Sequence, residues 1–193
     1  MRIISGKFKG LNLHSPKDNE IRPTSDRLRE SLFSIIDSEK YNTNILNANV
    51  IDICTGTGAL GIEALSRGAS NLFLIDMAQD AIEIVKKNIS KIKPQNIEDT
   101  LIRIIKADAR KPFKNINLVF DIVFIDPPYN SNIIQECLIN LKEHNLINAD
   151  SVIFAETSKN EILDLPDFEI LETKTYGKSK LTIIKLLELS SIK

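Results

Sequence analysis

Asp126-Pro127-Pro128-Tyr129 sets a carboxylate, two rigid backbone units and a phenol ring in four consecutive positions. The stretch before it, Asp121-Ile122-Val123-Phe124-Ile125, reads as a strand buried on both faces. Neither proline can donate to a sheet ladder, so the chain must leave the sheet here. In an open α/β sheet the carboxyl ends of the strands are where ligands bind. The Asp126 carboxylate and the carbonyls of Asp126 and Pro127 can accept hydrogen bonds from an amino group there, while Tyr129 offers a flat face to a ring. The combination suits chemistry on the amino group of a planar base.

A second constellation lies about seventy residues earlier. The short apolar run Val50-Ile51-Asp52-Ile53-Cys54 leads into Thr55-Gly56-Thr57-Gly58-Ala59-Leu60-Gly61, followed by a helical pattern that Gly68 stops. Strand, glycine-rich turn and helix form a nucleotide-cofactor arrangement, because glycines let the backbone approach a ligand closely. The next run, Asn71-Leu72-Phe73-Leu74-Ile75, ends in Asp76, twenty positions after Gly56, a spacing at which an acid binds ribose hydroxyls. Gly56 to Gly61 also matches a dinucleotide fingerprint. Asp52 argues against that reading, because a carboxylate beside the turn would repel a pyrophosphate. It would attract the ammonium and sulfonium of S-adenosylmethionine. Asp108, with Ala109 after it, follows the run Leu101–Lys106 and is placed to bind the adenine amino group.

The elements that position these groups are legible from periodicity. Strands are expected near 49–54, 71–75, 101–106, 119–125 and 151–155, helices near 59–67, 79–91 and 131–143, and a last hairpin over 168–175 and 181–187. Thr24 or Ser25 caps a helix with the apolar stripe Leu28, Leu32, Ile35 and Ile36. Alternating strands and helices predict an α/β protein with a parallel sheet covered on both faces. Residues 1–14, with Gly6 and Gly10, predict a small β-hairpin, and 16–23 a linker. The division expected is therefore 1–23, extension and linker, and 24–193, the main domain.

In these motifs the chain resembles the RsmD-type family of class I S-adenosylmethionine-dependent methyltransferases. The likeness also takes in Arg2-Ile3-Ile4-Ser5-Gly6 with Gly10 and Leu13, the block Arg22-Pro23-Thr24-Ser25-Asp26-Arg27-Leu28-Arg29-Glu30-Ser31-Leu32-Phe33, and the glycine loop through Gly68-Ala69. The family often has Ala-Gly-Ser-Gly where this chain has Thr55-Gly56-Thr57-Gly58. The resemblance implies a Rossmann-like sheet of seven mostly parallel strands, the last antiparallel. It implies methyl transfer to a guanine amino group in small-subunit (16S) ribosomal RNA. Asp126, Pro127, Pro128 and Tyr129 would then be catalytic, and Asp52, Thr55, Gly56, Thr57, Gly58, Asp76, Asp108 and Ala109 would bind the cofactor.

Composition is compatible with this. At 193 residues one α/β domain is expected, and no apolar run is long enough to span a membrane. Without a charged-then-apolar leader, a cytoplasmic protein is expected. Cys54 and Cys137 lack ligand spacing and are expected in the core, and His14 and His144 at the surface, so no metal site is predicted. Net charge is −1, yet residues 1–30 hold seven basic and four acidic side chains. Arg2, Lys7, Lys9, Arg22, Arg27 and Arg29 are therefore candidates for local RNA phosphate contact. The expected partner is ribosomal RNA, within a small-subunit assembly particle, and the protein a monomer. Two other readings stay open: an amino methyltransferase acting on DNA adenine or a protein amide, and a non-catalytic ribosome-assembly factor. Glu156, after Val152-Ile153-Phe154-Ala155, reaches the same rim with no role assigned.

Overall fold

The computed structural model describes residues 1–15, 26–129 and 131–188. In chain order the elements are α1 (Asp26–Asp37), β1 (Asn49–Ile53), α2 (Ala59–Ser66), β2 (Asn71–Asp76), α3 (Gln79–Ile89) and β3 (Leu101–Lys106). They continue with β4 (Ile122–Ile125), α4 (Ile133–Glu143), β5 (Val152–Ser158), β6 (Phe168–Tyr176) and β7 (Ser179–Leu186). The seven strands form one sheet in the order β3-β2-β1-β4-β5-β7-β6. Strands β1 to β5 are mutually parallel, and β7 runs antiparallel to both β5 and β6. This is the expected Rossmann-like sheet of seven mostly parallel strands.

Alternation along each strand sends residues to two separate cores. Val50, Leu72, Leu74, Phe124 and Phe154 join Leu32, Phe33 and Ile36 of α1, Ile62 and Leu65 of α2 and Val85 of α3. Ile51, Ile53, Phe73, Val123, Ile125 and Ile153 face the opposite way, onto Ile134, Cys137, Leu138 and Leu141 of α4 and onto Phe113 and Phe120. The stripe expected on the first helix is fully inside, with Leu28, Leu32, Ile35 and Ile36 all buried. The residues proposed to cap it, Thr24 and Ser25, lie outside those described.

Several boundaries differ from expectation; β5, for one, runs on to Ser158. The fourth strand starts at Ile122 rather than near 119, because the Phe120 amide goes to the Leu146 carbonyl and the Phe120 carbonyl accepts Ser151 Oγ. The Asp121 backbone already bonds to Asn49 and Val152 on either side. The Val119 carbonyl accepts Asn49 Nδ2 at 3.0 Å, and Asp121 Oδ2 accepts the Asn49 amide at 2.7 Å. The N-terminal hairpin is a minimal, folded-back strap, with one antiparallel bridge between Arg2 and Asn12 and the Ile3 and Leu13 amides donating to the carbonyls of Leu11 and Met1. Its turn is set by Gly6 and Gly10, both at positive φ (80° and 85°). A Cβ at position 6 would stand 1.9 Å from the Ser66 carbonyl oxygen, so only glycine lets the strap lie on α2.

The strap is part of the main body. Ile3, Phe8 and Leu13 are buried in the first core. Glu63, fully buried in α2, accepts the amides of Ile4 (Oε2, 2.7 Å) and Ser5 (Oε1, 2.9 Å). Its Oε1 also accepts Arg67 Nε at 2.9 Å, which partners the buried charge. Among the described residues, no helix is long and apolar enough to cross a membrane.

Candidate active site

Strand order reverses between β1 and β4, whose neighbours lie on opposite sides, and a crevice opens there at the carboxyl ends. A cavity of about 350 Å³ fills it, a size that suits a small ligand. The glycine turn (Cys54 to Thr57), Asp52, Asp76, Asp126 to Tyr129 and Glu156 all line it, together with Met1 and Ile133. The two constellations read from the sequence therefore share one chamber.

The glycine turn is built from left-handed backbone. Cys54 (φ 58°), Gly56 (φ 54°) and Gly58 (φ 78°) all sit at positive φ. For Cys54 this is an uncommon conformation. The turn is held from below by Asp52, whose Oδ2 accepts Thr55 Oγ1 at 2.7 Å and the Gly61 amide at 2.8 Å. Its role thus differs from a simple ligand attractor, since one oxygen is spent on the loop itself. Burial, and then the neighbouring Asp76, push the Asp52 carboxyl up to about 7, against the lowering effect of those two hydrogen bonds. A cation in the cavity would favour its ionised form.

Asp76, at the end of β2, closes the turn from the other side. Its Oδ2 accepts the Gly56 amide at 3.0 Å and its Oδ1 the Ala78 amide at 2.9 Å. A carboxylate has lone pairs to spare beyond these two, so ribose hydroxyls can still be received. Asp108 stands at a narrow recess shared with Cys54, Asp76, Met77, Ala109 and Ile133. Both its oxygens engage Arg110, at 2.8 Å each, and that pairing holds its carboxyl down at about 2. Adenine contact by Asp108 would have to share it with this guanidinium.

The sheet ladder continues one residue past β4, through the Asp126 amide donating to the Ile53 carbonyl at 3.3 Å. Beyond it Pro127 is buried, Pro128 exposed and Tyr129 half-buried. The Tyr129 hydroxyl bonds to Glu156 Oε1 (3.1 Å) and to Ser179 Oγ (2.7 Å). Tyr129 is thus steered by β5 and by the turn of the C-terminal hairpin. Sequence reasoning gave neither Glu156 nor Ser179 a role, since they lie 27 and 50 residues from Tyr129. It also missed Asn88, buried on α3. That side chain donates to the carbonyls of Thr57 (2.8 Å) and His14 (3.2 Å) and accepts the His14 amide, joining the glycine turn to the strap.

Cys137 is buried in the core as expected, whereas Cys54 is half-buried at the cavity wall, its thiol pushed up to about 12 by burial and the surrounding carboxylates. Of the basic candidates, Arg2, Lys7, Lys9 and Arg27 are exposed, and Arg2 adjoins Met1 at the cavity. Arg29 is a correction: it is fully buried, its Nη2 donating to the Arg2 carbonyl at 2.8 Å, so it holds the strap rather than facing a phosphate. Arg22 lies outside the described residues. Among the described residues no group of three or more His, Cys, Asp or Glu gathers as a metal site.

A family model described as "Conserved hypothetical protein 95" matches residues 1–185. The chain belongs to that family, the RsmD-type methyltransferases. Within the family, ribosomal RNA small subunit methyltransferase D of Haemophilus influenzae is 31% identical, covering 92% of this chain and 89% of its own. The protein of the same name from Escherichia coli is also 31% identical, covering 81% and 74%. The solved structure of Escherichia coli YhhF is 28% identical with a TM-score of 0.80, over 96% of this chain and 97% of that one.

Proposed function

We propose that this protein transfers a methyl group from S-adenosylmethionine to the exocyclic amine of a guanine in small-subunit ribosomal RNA. The reading is carried by the opening of the Asp126-Pro127-Pro128-Tyr129 segment onto the same cavity as the glycine turn. The names of the family members at about 31% identity support an RNA substrate.

The residues present fit the cofactor. A buried carboxyl poised near 7, beside Asp76, favours a cation and disfavours a pyrophosphate. Asp52 and the Thr55-Gly56-Thr57-Gly58 turn would hold its methionine end, Asp76 its ribose, and the recess at Asp108 and Ala109 its adenine. When bound, S-adenosylmethionine supplies an electrophilic methyl on a sulfonium.

The chain's own residues would then activate the amine. Its lone pair is delocalised into the base, which makes it a poor nucleophile. Acceptance of its two N–H bonds by Asp126 and the Pro127 carbonyl favours the pyramidal nitrogen and turns the lone pair toward the methyl. Tyr129, held by Glu156 and Ser179, fixes the plane of the base. Alignment of the two partners supplies much of the acceleration. A base reaches such a pocket only when unstacked, which in RNA is easiest at a loop or bulge.

The test is labelled methyl transfer to undermethylated small-subunit particles, naked ribosomal RNA, DNA and protein, with digestion of the product to nucleosides. N2-methylguanosine from ribosomal RNA is expected. Label in protein or adenine alone would overturn the reading.

A further inference from the structure

We propose that Glu156 reads the Watson–Crick edge of the target guanine, its Oε2 accepting the N1–H while Asp126 takes a hydrogen of the amino group. The assignment rests on the guanine reading above and adds to it the source of base selectivity.

Glu156 is only 7% exposed, and it lines the cavity. Its two oxygens are not equivalent. Oε1 accepts the Tyr129 hydroxyl, whereas Oε2 is buried with no hydrogen-bond partner among the described residues. A buried carboxylate oxygen left without a donor is costly and calls for a reason. A ligand that donates at this point supplies one.

The sheet register puts that oxygen beside the reacting amine. Ile125 of β4 pairs with Ala155 of β5, so Asp126 and Glu156 are the next residues on neighbouring parallel strands. Phe124 and Phe154, two residues back on each strand, share one core and one face, and the period of two carries Asp126 and Glu156 to that same face. Neighbouring strands lie about 4.8 Å apart, which sets two acceptors side by side. Guanine presents a matching pair of donors on one edge, N1–H and the adjacent amino group. Adenine and cytosine present a ring-nitrogen acceptor next to their amines, which would face a carboxylate oxygen without a proton between them. The Tyr129 hydroxyl, itself bonded to Ser179 Oγ, keeps Glu156 from swinging away.

The decisive probe is 2-aminopurine, which keeps the reacting amine but carries a lone pair at N1 in place of the hydrogen. Once the methylated nucleotide is mapped, 2-aminopurine is placed there by ligation and the RNA assembled into particles. Wild-type protein is expected to favour guanine by at least about 100-fold in kcat/KM, as sites that hydrogen-bond a substrate donor do. In Glu156→Gln the side-chain amide can donate to N1, and the preference for guanine is expected to fall at least about tenfold, against the loss of a single pairing interaction. Equal rates on the two bases with wild-type protein would overturn the assignment of Glu156 alone, whatever the folding of the variant. An unaltered preference in a folded Glu156→Gln would do the same. Failure of wild-type protein to methylate guanine at all would overturn the proposed function together with it.

Discussion

Asp52 Oδ2 accepts the Gly61 amide at 2.8 Å, and a Cβ on residue 61 would stand 3.1 Å from that same oxygen. The acid and the glycine work as one device that ties the turn after β1 to the first turn of α2. The same Cβ would lie 2.7 Å from Leu74 Cδ2 and 2.9 Å from Leu72 Cδ1, so these two buried side chains would have to shift. Gly61→Ala is expected to cost about 1–3 kcal/mol, as overpacking does. Denaturant unfolding would show a lowered midpoint, and calorimetry weaker binding of S-adenosylmethionine. An unchanged midpoint would mean that the contact relaxes freely.

The raised Asp52 carboxyl gives cofactor binding a pH dependence. Its folded value of about 7 lies above that of an unfolded aspartate. The stability it contributes to the free protein is thus full below about pH 4 and is lost as pH rises through about 7. A cationic ligand favours the ionised form, so binding below pH 7 releases a proton. Affinity for S-adenosylmethionine is expected to rise with pH, by at most about tenfold per unit, and to level off above 7. In Asp52→Asn this component should vanish. The cofactor's own amine titrates alike in both proteins, so the difference between the two titrations is the readout.

Glu63 pins the N-terminal strap through the amides of Ile4 and Ser5. Glu63→Ala leaves those donors and Arg67 without their buried partner. A loss of about 3–5 kcal/mol is expected, the range for breaking a buried pair. Hydrogen exchange at Ile4 and Ser5 should accelerate well beyond that in the strands. If only the global unfolding rate changed, the strap would be held chiefly by Ile3, Phe8 and Leu13.

Tyr129→Phe keeps the ring and removes the hydroxyl that joins Glu156 to Ser179. Stability should fall by about 1 kcal/mol, the net worth of such a bond. Cofactor affinity should stay near that of wild type while kcat for methyl transfer drops, since the base plane loses its steering. A fall in cofactor affinity equal to the fall in kcat would place Tyr129 on the donor side instead.

Features set by local backbone chemistry were legible in the sequence. Pro127-Pro128 had to end β4, and Gly56 and Gly58 do occupy left-handed backbone after β1. Features set by distant partners were not. Asp52 read as an acid facing a ligand because nothing in the sequence tells which way it turns, and its Thr55 and Gly61 partners emerge only when the loop closes over it. Arg29 read as a surface cation, yet helical phase and the strap together bury it beneath Arg2. The strap read as strands because its alternation is real. Its Ile3 and Leu13 amides do pair across the hairpin, but those of Ile4, Ser5 and Lys7 go to Glu63 and the Ser66 carbonyl, so the ladder stays short. The shorter β4 has the same origin, since Leu146 and Ser151, distant in sequence, take the backbone groups of Phe120.

The central claim is that donor and amine meet at the carboxyl ends of β1 and β4, with Asp126 acting on the amine alone. Asp126→Ala measured in parallel for S-adenosylmethionine affinity and for single-turnover methylation of small-subunit particles tests it most directly. Affinity within about threefold of wild type is predicted, a change under 1 kcal/mol, with the methylation rate lowered by at least about 100-fold, as for loss of a preorganised transition-state contact. Methylation at the wild-type rate, or a loss wholly accounted for by weaker cofactor binding, would contradict the account.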